Sequence, residues 1–147
     1  MANSEALRST RIAVGMSDEQ LKLFANLTDL REYEDGAVIL GDADESHDLL
    51  VLLSGSAEVL NLFNQEIGVV ECGSMIGELS FLDGKARSAK VVSRGRTDCA
   101  AVTRTVLDTL REKHPEILAI VMQNVALALA EKLRGATRLV TALSAGF

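Results

Sequence analysis

Glu78 and Arg87 stand nine positions apart in the stretch Gly77-Glu78-Leu79-Ser80-Phe81-Leu82-Asp83-Gly84-Lys85-Ala86-Arg87-Ser88-Ala89. They set one carboxylate and one guanidinium around a short apolar segment bounded by glycines. Arginine presents a planar fork of N–H donors that matches phosphate oxygens, and a carboxylate accepts hydrogen bonds from a sugar hydroxyl. An anionic sugar phosphate calls for that chemistry. Gly77 admits close backbone approach, and Leu79 to Asp83 suit one helical turn whose free N–H groups face an anion. Burying a phosphate charge without a partner is costly, and charge-assisted hydrogen bonds from Arg87, worth roughly 1.5–3 kcal/mol each, offset that cost. A carboxylate in the same concavity repels the phosphate unless it has a separate task. The competing readings are a solvated arginine in a Gly-Lys-Ala-Arg loop and a glutamate placed by the helix dipole.

The elements that must hold these residues follow from pattern. Asp35-Gly36, Gly41-Asp42 and Ser54-Gly55 are turn signals between short β-branched or Leu-rich runs. Strands are expected over 38–40, 49–53, 56–62 and, after a tight turn at Asn64-Gln65, 66–70. Beyond the site, 89–93 and 97–102 are expected to pair across Arg94-Gly95-Arg96. Such spacing predicts a small antiparallel barrel or sandwich. Asp18 to Leu27 reads as an amphipathic helix capped by Ser17 or Asp18. Thr103 to Lys113 reads as a short helix that His114-Pro115 interrupts, since proline disfavours helical geometry in the residue before it. Pro115 suits the first turn of a long helix from about Glu116 to Arg134. Its apolar positions Leu118, Val121, Met122, Val125, Leu129 and Leu133 recur at three- and four-residue steps.

The glycine-bounded stretch resembles the phosphate-binding cassette of the cyclic nucleotide-binding domain family, in which G-E-L, a short apolar helix and R-[S/T/A]-A precede a strand. Gly77, Glu78, Leu79, Arg87, Ser88 and Ala89 occupy those places. The resemblance extends over roughly residues 20 to 135. Tyr33 to Asp42 is similar to the family's first strand and turn, and Asp48 to Val59 to its hairpin with a fixed glycine. It departs at Ile76, where many relatives have an aromatic residue, and in the short hairpin around Asn64.

The resemblance implies an α+β, mainly β fold: an antiparallel β-roll or jelly-roll barrel with an N-terminal helix, a short cassette helix and a C-terminal helix pair. The organisation expected is an N-terminal extension (1–16), the domain (17–135; roll about 37–102, helices about 103–134) and a tail (136–147), both ends being loosely ordered or helical. It also implies that Arg87 takes the phosphate and Glu78 the ribose 2′-hydroxyl. Gly77, Leu79, Ser80, Ser88 and Ala89 would complete the cradle through backbone N–H groups and the Ser88 hydroxyl. Serine at 88 leans toward cAMP as the ligand, with cGMP the second. The long helix is the expected lid over the base through Leu129, Leu133 or Arg134, with Leu49, Val51, Val70 and Ile76 on the pocket wall.

Composition bounds the rest. At 147 residues the chain suits one domain, and 48% apolar content with no Trp and one Tyr calls for an aliphatic interior. A net charge of −6 with scattered Lys and Arg argues against a nucleic-acid surface. Cys72 and Cys99 read as small buried hydrophobes in a reducing cytoplasm. No signal peptide opens the chain, and Gln123, Asn124 and Glu131 break the apolar run from Ile117, so no membrane insertion is expected.

His47 and His114 have no paired nucleophile or metal spacing, so neither an enzyme nor a metal site is expected. Two distant cysteines do not make an iron–sulfur centre. The bacterial transcription factors of this fold carry a helix-turn-helix after the long helix, and the twelve residues after Gly135 are too few for one. The expected function is a cytoplasmic sensor module. It would signal through its C-terminal helix to an effector protein or fused output domain, with a homodimer through that helix. The alternative is a degenerate domain that serves only protein interaction or dimerisation.

Overall fold

Two aliphatic cores, one on each side of the same two long strands, determine the architecture. The computed structural model describes residues 2–42 and 44–146; Met1, Ala43 and Phe147 lie outside the described residues. Its elements run α1 (Ser4–Arg8), a 3-10 turn (Arg11–Ala13), α2 (Asp18–Leu27), β1 (Asp29–Tyr33), β2 (Val38–Leu40), β3 (Leu49–Leu60), β4 (Glu66–Val70), β5 (Met75–Ile76), α3 (Glu78–Asp83), β6 (Lys90–Val102), α4 (Arg104–Lys113) and α5 (Pro115–Ala145). The strands form one six-stranded antiparallel sheet in the order β1-β6-β3-β4, with β2 on β6 and β5 on β3. It is a jelly-roll sheet with helices at both ends of the chain, rolled but not closed into a barrel.

Strand parity sorts the cores. Leu49 and Val51 of β3, with Ala100 and Val102 of β6, face the helices and join Leu7, Ile12, Phe24, Leu110, Ile117 and Val121. Leu50 and Leu52, with Cys99 and Ala101, face the inside of the roll and join Ile39, Leu40, Ile76 and Val91. Burial pushes the Cys99 thiol up to about 12, so it is a packed neutral group. A run of five apolar residues, the first four of them buried, carries no alternation, which is why the sequence leaves its parity open.

Two glycines that read as hairpin turns are corners instead. The chain does not reverse at Ser54-Gly55 or at Arg94-Gly95-Arg96; β3 and β6 each run through, and their mutual register shifts between Leu52 and Ser56. Consequently 89–93 and 97–102 do not pair with each other: both lie along β3. Gly55 and Gly95 take positive φ (81° and 68°), the conformation that bends a bulged strand. β1 was absent from the expected strands. Its sequence Asp29-Leu30-Arg31-Glu32-Tyr33 is an edge strand whose charges conceal the pattern.

The helices have identifiable local causes. Ser17 and Gln20 form a reciprocal capping box on α2, and Thr103 caps α4 by accepting from Val106 N at 3.3 Å. Pro115 opens α5. The N-terminal segment is helical because it is packed. Leu7 and Ile12 are fully buried, each contributing roughly 1.5–3 kcal/mol, enough to hold helices too short to stand alone. Buried Asn124 of α5 donates from Nδ2 to Ile12 O (2.8 Å) and Val14 O (2.9 Å), and Arg11 pairs with Glu131. α5 also runs past Arg134 to Ala145; Gly135 costs about 1 kcal/mol there, which the Ala- and Leu-rich continuation tolerates.

Candidate functional site

β5 delivers the chain to Gly77, whose φ of 83° turns it sharply into α3. Gly84 closes α3 in the same left-handed conformation (φ 69°). The first N–H groups of so short a helix have no partner within it, so the backbone of Leu79 and Ser80 is left open to a ligand. The Ser80 hydroxyl is already committed: it donates to Lys85 O at 2.6 Å and lies 2.8 Å from His47 Nδ1. With its proton on Lys85 O, Ser80 Oγ accepts from His47 Nδ1–H, so His47 ties the β2–β3 loop to the cassette helix.

Arg87 is buried, with its side chain 2% exposed, which disposes of a solvated arginine. Its Nη1 donates to Gly77 O (3.2 Å) and its Nη2 to Asp48 O (3.0 Å). Asp44 Oδ2 lies 3.2 Å from Nε and 3.1 Å from Nη2. Burial opposes ionisation of Asp44, but hydrogen bonds from Ser46 and Arg87 outweigh it and hold this carboxyl below the usual carboxylate range. Gly77 cannot gain a side chain at no cost: a Cβ there would lie 2.7 Å from Arg87 Nη1 and 3.0 Å from Asp48 O.

Glu78 is 4% exposed. Its Oε1 pairs with Lys132 Nζ of α5, which also donates to Met75 O at 3.4 Å. Its Oε2 is buried with no hydrogen-bond partner among the described residues. Such an oxygen costs about 1–3 kcal/mol unless something fills it.

Of these residues, Gly77, Glu78, Ser80, Arg87 and Lys132 border one cavity of about 630 Å³. It is lined by Gly77, Glu78, Leu79, Ser80, Arg87, Ser88 and Ala89 of the cassette and by Leu129 and Leu133 of α5. All nine were expected from the sequence. Arg134 is exposed and absent from the lining; Lys132, one turn beyond Leu129 on the same face, takes part instead. Val70 and Ile76 are on the wall as expected, whereas Leu49 and Val51 are not, because their parity turns them to the helical core. Leu79, Ile67, Val69 and Leu133 line the cavity yet remain partly exposed, so its mouth is rimmed with apolar surface. Asp44, His47 and Lys132 were missed. They reach the site from 33 or more residues away in some contacts, and no local spacing marks them.

A buried arginine and a buried glutamate thus line one apolar cavity. Residues 30–114, more than half of the chain, match the family model described as the cyclic nucleotide-binding domain. The chain belongs to the cyclic nucleotide-binding domain family. Among solved structures, this domain is similar to a cyclic nucleotide-binding domain from Methylobacillus flagellatus, with 25% identity and a TM-score of 0.82 over 93% of this chain and 79% of that one. It is 34% identical over 102 residues to a cAMP-dependent protein kinase regulatory subunit of Mucor circinelloides, covering 62% of this chain and 24% of the relative. It is 27% identical over 108 residues to a cGMP-dependent protein kinase of Plasmodium berghei, covering 74% of this chain and 12% of the relative. This chain thus spans a quarter or less of the length of these two relatives. No helix among the described residues is long and apolar enough to cross a membrane.

Proposed function

We propose that this domain is a non-catalytic cytoplasmic sensor of a cyclic nucleotide, cAMP in preference to cGMP, which passes ligand occupancy to a partner through α5. The observation that carries this reading is that Glu78, one of whose carboxylate oxygens is buried with no partner among the described residues, lines the same cavity as the buried Arg87. Arg87 and the N–H groups of Leu79, Ser80 and Ala89 take the cyclic phosphate. Glu78 Oε2 accepts from the ribose 2′-hydroxyl, which satisfies an otherwise costly atom. The base lies across Ile67, Val69, Leu129 and Leu133, and Ser88 offers the one hydroxyl of the cassette that His47 and Lys85 do not occupy. Relatives named for cAMP and for cGMP both match this chain, so the lean toward cAMP rests on serine at 88.

Lys132 links the cassette to α5 through Glu78, so a ligand that engages Glu78 changes how α5 is held. That is a population shift driven by differential affinity for the two placements of α5. The helix has a surface to pass this on. Residues 131–146 are exposed throughout, and beyond the cavity Ala136, Val140 and Leu143 recur at steps of four and three, the spacing of a coiled-coil seam. An effector, a fused output domain or a second copy of the chain pairs there.

A second reading has its own support. Arg87 is paired with Asp44 and Glu78 with Lys132, so both charges are compensated within the chain. A domain that binds nothing and serves only protein interaction would have that property. Thermal unfolding separates the two. At a ligand concentration a hundredfold above Kd, binding adds about 2.7 kcal/mol, a rise in Tm of several degrees for a domain of this size. The sensor reading expects that rise with cAMP and a smaller one with cGMP at equal concentration. No shift with either at millimolar concentration leaves the interaction module.

A further inference from the structure

We propose that Asp44 is the resident anion of the phosphate site, and that nucleotide binding proceeds by exchange of the Asp44 carboxylate for the ligand phosphate on Arg87. This rests on the sensor reading and adds a regulatory element to it. A buried guanidinium needs a counter-charge, and Asp44 supplies it at the Nε/Nη2 edge, with Oδ2 at 3.2 and 3.1 Å. The Nη1/Nη2 edge is spent on the carbonyls of Gly77 and Asp48, so the Nε/Nη2 edge is the one that can meet two oxygens of a phosphate once Asp44 leaves. Asp44 does not line the cavity itself, but while it holds this edge the arginine is electrically neutralised and its Nε/Nη2 donors are taken.

The contacts of Arg87 differ in how easily they are given up. Gly77 O and Asp48 O are main-chain acceptors, fixed by the start of α3 and the start of β3. Asp44 contributes through its side chain, 24% exposed, on the connection between β2 and β3, whose described residues form no helix or strand. Its other ties are local: Ser46 N donates to Oδ1 at 2.9 Å, and Asp44 N donates to Gly41 O at 3.1 Å. Rotating Asp44 into water therefore releases the anion and leaves the guanidinium where the two carbonyls hold it. The same connection carries His47 on Ser80 and Asp48 on Arg31 (2.7 Å), so exchange at Arg87 loosens one of the ties between this loop and the cassette.

The test is titration of the 147-residue chain with cAMP in wild type, Asp44→Asn and Asp44→Ser, with melting curves to show that each variant is folded. Asn keeps an acceptor for Ser46 N and removes only the charge; Ser removes the charge and most of the reach. Exchange predicts that both bind cAMP more tightly, by about tenfold, the scale of one charge-assisted hydrogen bond no longer broken on binding. A folded Asn or Ser variant that binds cAMP as wild type does, or more weakly, overturns the exchange and makes Asp44 a support for Arg87. If wild type fails to bind and the Asn variant binds, Asp44 is shown to be the barrier. If neither binds at millimolar cAMP while both are folded, the exchange falls together with the sensor reading. If wild type binds and is indifferent to Asp44, the exchange falls alone.

Discussion

Arg87→Ala is expected to weaken cAMP binding by at least about a hundredfold, because two charge-assisted hydrogen bonds to phosphate at roughly 1.5–3 kcal/mol each are lost with the side chain. The other cation on the cavity lining, Lys132, is half-exposed and paired with Glu78, so it does not replace the buried guanidinium. The substitution also orphans Asp44 and the carbonyls of Gly77 and Asp48, which costs stability in the absence of ligand. Arg87→Lys separates these effects. It keeps the positive charge that Asp44 needs but loses the planar fork, so it is expected to fold near wild type and still bind weakly. Titration calorimetry with melting controls is the check. A folded Arg87→Ala chain with wild-type affinity contradicts the role given to the guanidinium.

Gly55→Ala is expected to be the most damaging single methyl in the roll. Gly55 has φ 81°, and an added Cβ would lie 2.3 Å from Arg96 O, 2.9 Å from Thr97 Oγ1 and 3.0 Å from Thr97 Cα. Two of those three atoms are backbone of the partner strand, which cannot step aside without breaking the corner shared by β3 and β6. Backbone strain of about 1–3 kcal/mol and overpacking of about 1–3 kcal/mol together take a large part of a typical domain's 5–15 kcal/mol. The expected drop in Tm is on the order of ten degrees. Gly84→Ala is the control, since its φ is 69° and a Cβ there meets nothing within 4 Å; it carries the strain without the collision. A Gly55→Ala protein as stable as Gly84→Ala would refute the close-packed corner.

The site residues differ sharply in how visible they were. Glu78 and Arg87 could be found because the cassette is contiguous: one turn of helix and one loop hold both charges, so their spacing is written along the chain. Lys132 and Asp44 answer those same two charges from α5 and from the β2–β3 loop, and only the fold brings them near. Lys132 does share a helix face with Leu129 and Leu133, so the expected lid positions pointed to its neighbourhood without naming it. His47, which has no paired nucleophile or metal spacing in the sequence, is a tie between that loop and Ser80.

The elements show the same division. Caps and proline located α2, α4 and the start of α5, because those signals act within one turn of the chain. Gly55 and Gly95 were visible as turn residues, yet residue type does not say whether the chain reverses there or bends and continues. The partner strand decides that, through close packing at Arg96 and Thr97. In Leu49 to Leu53 the face of each residue depends on which core lies on which side, and a run apolar on both sides leaves no trace of it. The length of α5 was cut short at Gly135, whose penalty is smaller than the helix propensity of the residues after it.

The account stands or falls on whether the cavity takes a cyclic nucleotide. Calorimetric titration of the wild-type chain with cAMP, with cGMP and with 5′-AMP as the uncyclised control, is the most direct measurement. Saturable binding at one site per chain, tightest for cAMP and lost in Arg87→Ala, is the result predicted. Absence of heat and of competition with all three ligands at millimolar concentration would contradict it, and would leave the paired charges of the cassette as part of an interaction module.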